Sequence, residues 1–479
     1  MCPISFCIQL SFLVLLLICD SQQTVDPVEP RIAIIGAGIS GTSAAYFLSK
    51  TTGLNPKIDI YSKDPVGGRM ATVNIHGFDF ETGGSILHPR NRYMKQFAEE
   101  FGFKQKKGIS GKFGLYDGSG FVYSEGDWSV LNVASLLWRY GFSLLKVNTL
   151  IGDMLNQFER IYNVQDDGYA FSNVADLLSA MDPSFNLMLE RTLEEGLKQM
   201  GVSSLFIDEL ANAIMRVNYG QSTDAHQFVG SVSLAGAETG LWSLRGGNKK
   251  VPQALLNASR AHFHEEEVEA IHLNTDGRFS LRFKENDEMP SYDAVILATP
   301  VTNDTSSFGF ENFPRQFHFP GRYHQTICTM VQGEVNHKTF GFADASSIID
   351  DIFTTNRTLF FNSLARNYPV DMDDGEGDAP SVWKVFSNEP LTKEELNTLF
   401  SSINETYVIH WKAYPEYDGT ISTGNFTLHP GLYHINAIEF AASAMEMSVI
   451  GARNVALLAA SHLGVDIQDR KAQSFHIEL

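Results

Sequence analysis

Six residues, Gly36-Ala37-Gly38-Ile39-Ser40-Gly41, with Ala45 one helical turn further on, have the types and spacing to hold a dinucleotide. Gly36 permits a tight turn and Gly38 lets a pyrophosphate approach bare backbone. Gly41 and Ala45 let a helix lie close on a strand, so that the helix N-terminus faces the phosphates. The glycine pattern alone is weak. It gains meaning from the buried apolar run Ile32 to Ile35 before it and from a helical pattern after it, in which Ala44, Ala45, Phe47 and Leu48 share one face.

The next strand, KIDIYS, ends without the acidic side chain that would hold a ribose; Tyr61, Ser62 and Lys63 stand there instead. A second glycine layer follows, Val66-Gly67-Gly68-Arg69-Met70-Ala71-Thr72, and a second glycine doublet lies in Glu81-Thr82-Gly83-Gly84-Ser85 after a short apolar hairpin. Two doublets with an arginine between them offer backbone that can approach a flavin and its diphosphate, with Arg69 as counter-charge, a feature a NAD domain does not need. Ser62 can still give and accept one hydrogen bond, so the missing acid predicts weakened rather than lost binding.

His88 follows the second layer and is a candidate to face the ligand; a structural hydrogen-bonding role fits it equally. Trp138, Tyr140, Tyr219 and Trp242 are core or cavity-wall aromatics. His262-x-His264 beside three glutamates resembles a metal pair only superficially, because exposed alternation before a strand explains it, and no metal site is expected. The acidic run at 371–378 lacks the glycine position and flanking helices of a calcium loop.

At 479 residues the chain exceeds one core, and 43% apolar with 19% charged residues is ordinary globular composition. A balance of 36 basic against 56 acidic residues, net −20, with no basic run, argues against nucleic acid as a partner and against long-range attraction to anionic membranes. Residues 131–162 carry apolar positions at helical spacing, but Arg139 and Lys146 make them too charged to span a bilayer. FHEEEVEAIHLNTDGRFSLRFKE reads as a hairpin around a T-D-G turn, SYDAVILATP and LYHINAIEF as strands, and SAMEMSVIGARNVALLAASHL as a long helix. Nucleotide-fold pieces thus recur at the start, middle and end, separated by two insertions.

The chain closely resembles the FAD-dependent prenylcysteine oxidases, called farnesylcysteine lyases in plants, from about residue 30 to 465. GGRMAT, ETGGSILHP, LWRYG at 137–141, DGYAFS, RVNYGQS, SLAGAETGLWSLRGGNK, YDAVILATP and above all IEFAASAMEMS at 438–448 carry the resemblance. It implies an α/β fold: a Rossmann-like FAD-binding domain of the amine-oxidase-like flavoprotein type (31–125, 240–307 and 421–465) with an inserted α+β substrate domain (126–239 and 308–420). Gly36, Gly38, Ser40 and Gly41 would hold the diphosphate. Gly67, Gly68, Arg69, Gly83, Gly84 and Ser85 would line the flavin side. The resemblance gives Val268 the adenine, with Thr299 ending the strand over it, and gives Ile438, Glu439, Met445 and Met447 the ribityl chain and pyrimidine end. A glutamate usual in this family is replaced by Ser62. Trp138, Tyr219 and Trp242 become substrate-wall residues and His88 the catalytic candidate.

The implied reaction is oxidative cleavage of an S-prenyl-L-cysteine thioether to prenyl aldehyde, cysteine and hydrogen peroxide, with dioxygen as oxidant. An amine or polyamine oxidase on the same scaffold and a flavin-free prenyl-binding escort protein are the rival readings. No obligate protein partner is implied, and peripheral association with a membrane stays open. Residues 1–21 resemble a secretory signal peptide, and sequons at Asn257, Asn303, Asn356, Asn404 and Asn425 agree with the secretory pathway. A vacuole or lysosome is the expected destination, or the endoplasmic reticulum if the terminal His476-Ile477-Glu478-Leu479 acts as a retrieval signal. With the leader removed only Cys328 remains, expected buried and inert.

Overall fold

A computed structural model describes residues 29–107, 111–285, 288–302, 305, 309–373, 379–417 and 423–465. The leader, the Asn303 sequon, most of the acidic run and the C-terminal tetrapeptide lie outside them. Two larger sheets and a helical layer share the chain. The first sheet has six strands in the order Thr427–His429, Leu432–His434, Ala294–Leu297, Arg31–Ile35, Lys57–Tyr61, His262–His264, parallel except for the first pair.

This sheet is covered on both faces, and strand alternation decides which side chain goes where. Ile32, Ile34, Ile58, Ile60, Ala294 and Ile296 pack on one side with the helices Ile39–Lys50, Lys250–Ser259 and Met445–His462. Ala33, Ile35, Val295 and Leu297 face the other way and bury Ile271, Phe279 and Leu281 of a four-stranded sheet. That sheet contains the expected hairpin, with Leu273 opposite Phe279 across the turn.

A seven-stranded sheet forms the second half, in the order Phe400–Pro415, Tyr323–Val335, Val382–Ser387, Ser363–Asn367, Asp351–Thr354, Phe113–Tyr116, Phe121–Ser124. Its last two strands lie before the sequence boundary at 125: Phe113–Tyr116 pairs with Asp351–Thr354, and Phe121–Ser124 pairs with Phe113–Tyr116, so both belong to this sheet rather than to the nucleotide sheet. Conversely, Gly309–Glu311, beyond the 307 boundary, joins the four-stranded sheet beside Ala270–His272. Residues 129–235 add a layer of helices, among them Ser129–Tyr140, Ser143–Phe158, Asn212–Tyr219 and Gln227–Ala235. LYHINAIEF is a strand only over Leu432–His434. It then winds into a tight turn of 3-10 helix, Ile435–Phe440, so the expected continuous strand is wrong.

Candidate functional site

The cradle is built by backbones that only glycine lets meet. Gly36 has φ +116° and donates its N–H to the Tyr61 carbonyl at 2.8 Å; a Cβ there would lie 2.4 Å from the Ala298 oxygen. A Cβ on Gly41 would lie 2.0 Å from the Gly36 oxygen, and one on Gly83 would lie 1.9 Å from the Arg69 oxygen. The two glycine layers are laced together: Gly67 N–H donates to Ala37 at 3.0 Å, and Gly38 and Gly67 form a parallel bridge. Gly38 differs from these. A Cβ on it would meet no protein atom nearer than 3.9 Å and would project into a cavity, the space a diphosphate needs.

Above that space the helix Ile39–Lys50 begins at Gly38 with no side-chain cap and no acid in its first turn, leaving its N–H groups and its dipole for an anion. The C-terminal helix Met445–His462 also begins uncapped, and Met445, Met447 and Ser448 line the same cavity. Glu446 between them is committed elsewhere: its carboxylate accepts the N–H groups of Tyr93 (2.7 Å) and Met94 (3.0 Å) and the Tyr162 hydroxyl (2.8 Å), so it caps a neighbouring helix.

Arg69 is not the free counter-charge expected. Its guanidinium is held in a bidentate pair by Glu439, whose carboxylate is fully buried, and also donates to the Ala413 carbonyl at 2.5 Å. Glu439 further accepts from the Tyr323 hydroxyl at 2.9 Å and from Asn436 at 2.6 Å. Arg69 borders the cavity as one end of a neutralised cluster, while Glu439 and Ile438 stand behind the wall. Both were expected at the ribityl chain; they shape it from the second layer of side chains.

Ser40, Ser62, Gly68, Gly84, Ser85, Thr299 and Tyr219 border the cavity, whereas Val268 is buried in its hairpin strand and is not among the lining residues. Ser62 already accepts the Asp64 N–H at 3.2 Å, which leaves its own hydroxyl hydrogen to donate. His88 borders the cavity but has no nitrogen to spare. Its Nδ1 accepts the Arg90 N–H at 3.1 Å and its Nε2 bonds Glu238 at 2.9 Å, so both ring nitrogens expected to face the ligand are engaged by the protein. Trp138 is 93% exposed, and Trp242 is buried with its indole N–H on the His88 carbonyl; neither touches the cavity, so both fail as substrate-wall residues. His264 stacks on Tyr61 and bonds Asp59 at 3.1 Å, a structural use of the His-x-His pair. Cys328 is buried, and burial pushes its thiol up to about 11.

From the glycine cradle the cavity runs into an apolar arm lined by Leu136, Leu144, Ile151, Met154 and Ile214, for a volume of ≈ 2050 Å³. Drug-sized ligands fill roughly 300–1,000 Å³, so there is room for two ligands end to end. Two titratable groups in the wall escaped the sequence reading. Glu81 is nearly fully buried and its carboxyl is pushed up to about 7 by desolvation; Oε1 accepts the Asn248 N–H at 2.6 Å and Oε2 has no partner. Lys384, also buried, lies with Nζ 3.5 Å from the Glu81 carbonyl oxygen. The lysine was invisible in sequence because it stands alternately among apolar strand residues, Val382–Ser387.

A parallel nucleotide sheet, a paired glycine cradle and a long cavity against a second, mostly antiparallel sheet define an oxidoreductase fold of the amine-oxidase-like flavoprotein type. A profile described as an NAD(P)-binding Rossmann-like domain matches residues 34–101. A solved structure of wild-type putrescine oxidase bound to putrescine superimposes with a TM-score of 0.59 over 90% of this chain and 98% of that one; at 15% identity this is a likeness of fold alone. The family is narrower. The profile "Prenylcysteine lyase" matches residues 123–471, and the chain is 40% identical over 466 residues to prenylcysteine oxidase 1 of Bos taurus, covering 93% of this chain and 92% of that one. It is 41% identical over 446 residues to prenylcysteine oxidase 1 of Homo sapiens, covering 90% and 88%. The chain belongs to the prenylcysteine lyase family.

Proposed function

We propose that this protein cleaves the thioether of S-prenyl-L-cysteine oxidatively, with FAD in the glycine cradle and the isoprenoid in the apolar arm. The observation that carries this is the continuity of the two compartments in one ≈ 2050 Å³ cavity, apolar at one end and anion-binding at the other. FAD, when bound, supplies hydride acceptance and passes the electrons to dioxygen. The bond broken joins sulfur to the first prenyl carbon. That carbon gives up a hydride, takes the oxygen of a water molecule and leaves as the aldehyde, while the sulfur leaves as the thiol of cysteine; dioxygen becomes hydrogen peroxide.

The protein's own share is placement and exclusion. Gly38 and the uncapped helix starts hold the cofactor's diphosphate and polar end. Leu144, Ile151, Met154 and Ile214 hold the chain so that the carbon beside sulfur is fixed, converting an encounter into a bound geometry. Glu81 stands in the wall of the site, its carboxyl pushed up to about 7 by burial and its Oε2 without a partner. The polyamine-oxidase reading would call for acids free to hold a cation; the arm presents Leu144, Ile151, Met154 and Ile214, and of the acids that border the cavity Glu159 is paired with Arg90 and Glu238 with His88.

Peroxide release from the purified yellow protein given farnesylcysteine is the expected result. Silence with farnesylcysteine alongside turnover of spermine or another amine would overturn the substrate. The four described sequons, Asn257, Asn356, Asn404 and Asn425, are all exposed, which supports passage through the secretory pathway toward a lysosome or vacuole.

A further inference from the structure

Eight of the fourteen exposed large apolar side chains among the described residues fall within 128–145, on the adjoining helices Ser129–Tyr140 and Ser143–Phe158. Trp128, Val130, Leu131, Trp138, Phe142 and Leu145 make up most of this face; Phe142 is 80% exposed. Isolated exposed leucines need no explanation, whereas a contiguous patch of this kind marks a surface that meets something apolar. Residues 128–152 also contain no aspartate or glutamate, in a chain whose net charge is −20. The two cations in the stretch are held down, Arg139 by Glu209 and Lys146 by the Gly201 carbonyl.

We propose that this face docks on a neutral phospholipid surface and that the isoprenoid enters the cavity through the wall formed by these two helices. Three features select a bilayer as the occupant. First, the inner faces of the same helices line the apolar arm: Leu136 borders the cavity beside exposed Leu137, and Leu144 borders it beside exposed Leu145. A second copy of the chain seated here would seal that arm from its hydrophobic substrate. Second, Trp128 and Trp138 are both largely exposed within the patch, and tryptophan favours the level of lipid headgroups, where its ring is half in hydrocarbon and its N–H is wet. Third, the lack of acids spares this face the repulsion that the rest of the surface would meet from lipid phosphates, and the lack of free cations makes a zwitterionic membrane, not an anionic one, its match. Among the described residues no helix is long and apolar enough to cross a membrane, so the contact is one of lying on the surface. The docking stands on the face alone; the entry route rests on the function proposed above.

The test uses the FAD-loaded full chain and a Leu131→Asp/Phe142→Asp variant, with phosphatidylcholine vesicles as the probe. Flavin absorbance and melting temperature, unchanged in the variant, establish that it folds. Co-sedimentation of the wild-type protein with vesicles, weakened at least tenfold in the variant, is the expected result. Peroxide release from farnesylcysteine offered in vesicles should fall at least fivefold, while a water-soluble five-carbon S-prenylcysteine is oxidised at the same rate. Wild-type protein that stays in solution at every lipid concentration overturns the docking. So does a wild-type dimer, seen by light scattering, that the variant converts to monomer without any vesicle binding, because the face then belongs to a second copy. Weakened docking with an unchanged rate on vesicle-borne substrate overturns the entry route. Intact vesicle binding with no peroxide from either substrate overturns the proposed reaction and leaves the docking standing.

Discussion

At the scale of single residues, the site is set by which polar groups have something left to give. Ser62 stands where a carboxylate could accept both ribose hydroxyls; it has one hydrogen to donate. Ser62→Glu should therefore tighten FAD retention by about tenfold, the worth of roughly 1.5 kcal/mol from one charge-assisted hydrogen bond, read as slower release of fluorescent flavin on dilution. Glu81 carries a different consequence. Its carboxyl ionises near 7 when folded and near its ordinary 4.5 when unfolded. Between those values the folded protein holds the proton and the unfolded chain has lost it, so stability falls as pH rises across the window. One pKa unit is worth about 1.4 kcal/mol, which makes the full loss roughly 3 kcal/mol, complete above pH 7. Glu446, pushed up to about 7 by the same cause, adds a similar share. Glu81→Gln should therefore remove about half of the decline in chemical-denaturation stability between pH 4.5 and 7; an unaltered slope would show that the buried Glu81 carboxyl is not the group that titrates.

At the scale of elements, two glycines three residues apart answer to opposite demands. Gly41→Ala drives a methyl against the Gly36 carbonyl, and neither backbone can move without parting the strand Arg31–Ile35 from the helix Ile39–Lys50. Overpacking of this kind costs about 1–3 kcal/mol, and both the melting temperature and the flavin absorbance should drop. Gly38→Ala places its methyl in open cavity at φ −78°, which alanine adopts freely. It should melt like the cofactor-free wild type and come out colourless. The contrast explains what could be read ahead of the structure. The fingerprint, the hairpin and the buried strands follow from steric and apolar periods within a few residues, and these were legible. Elements whose identity depends on distant partners were not. Phe113–Tyr116 becomes part of the second sheet only because Asp351–Thr354 lies beside it. Trp138 sits in an apolar helix with two apolar faces, and sequence cannot say that Leu136 turns inward and Trp138 outward. INAIEF is as apolar as the strand before it, yet Asn436 reaches Glu439 three residues on, which a tight helical turn allows.

At the scale of the molecule, the two halves and the C-terminal segment are joined at one buried ion cluster. Arg69 comes from the second glycine layer, Ala413 and Tyr323 from the seven-stranded sheet, and Glu439 from the turn before the last helix. A buried pair of this sort adds little net stability over hydrocarbon, because desolvation offsets the attraction, but losing one partner strands the other. Arg69→Met leaves the buried Glu439 carboxyl without its cationic partner and held only by Tyr323 and Asn436, and should cost about 3–5 kcal/mol in denaturation. In Arg69→Met/Glu439→Gln the charge is gone while the amide oxygen still accepts from Tyr323 and Asn436, so most of that loss should return. Flavin affinity then separates the two roles the arginine could have. If Arg69 serves to join the halves, the double variant regains FAD along with its stability. If the double variant is stable and colourless, the guanidinium itself contacts the cofactor, and the counter-charge expected from sequence is restored to it.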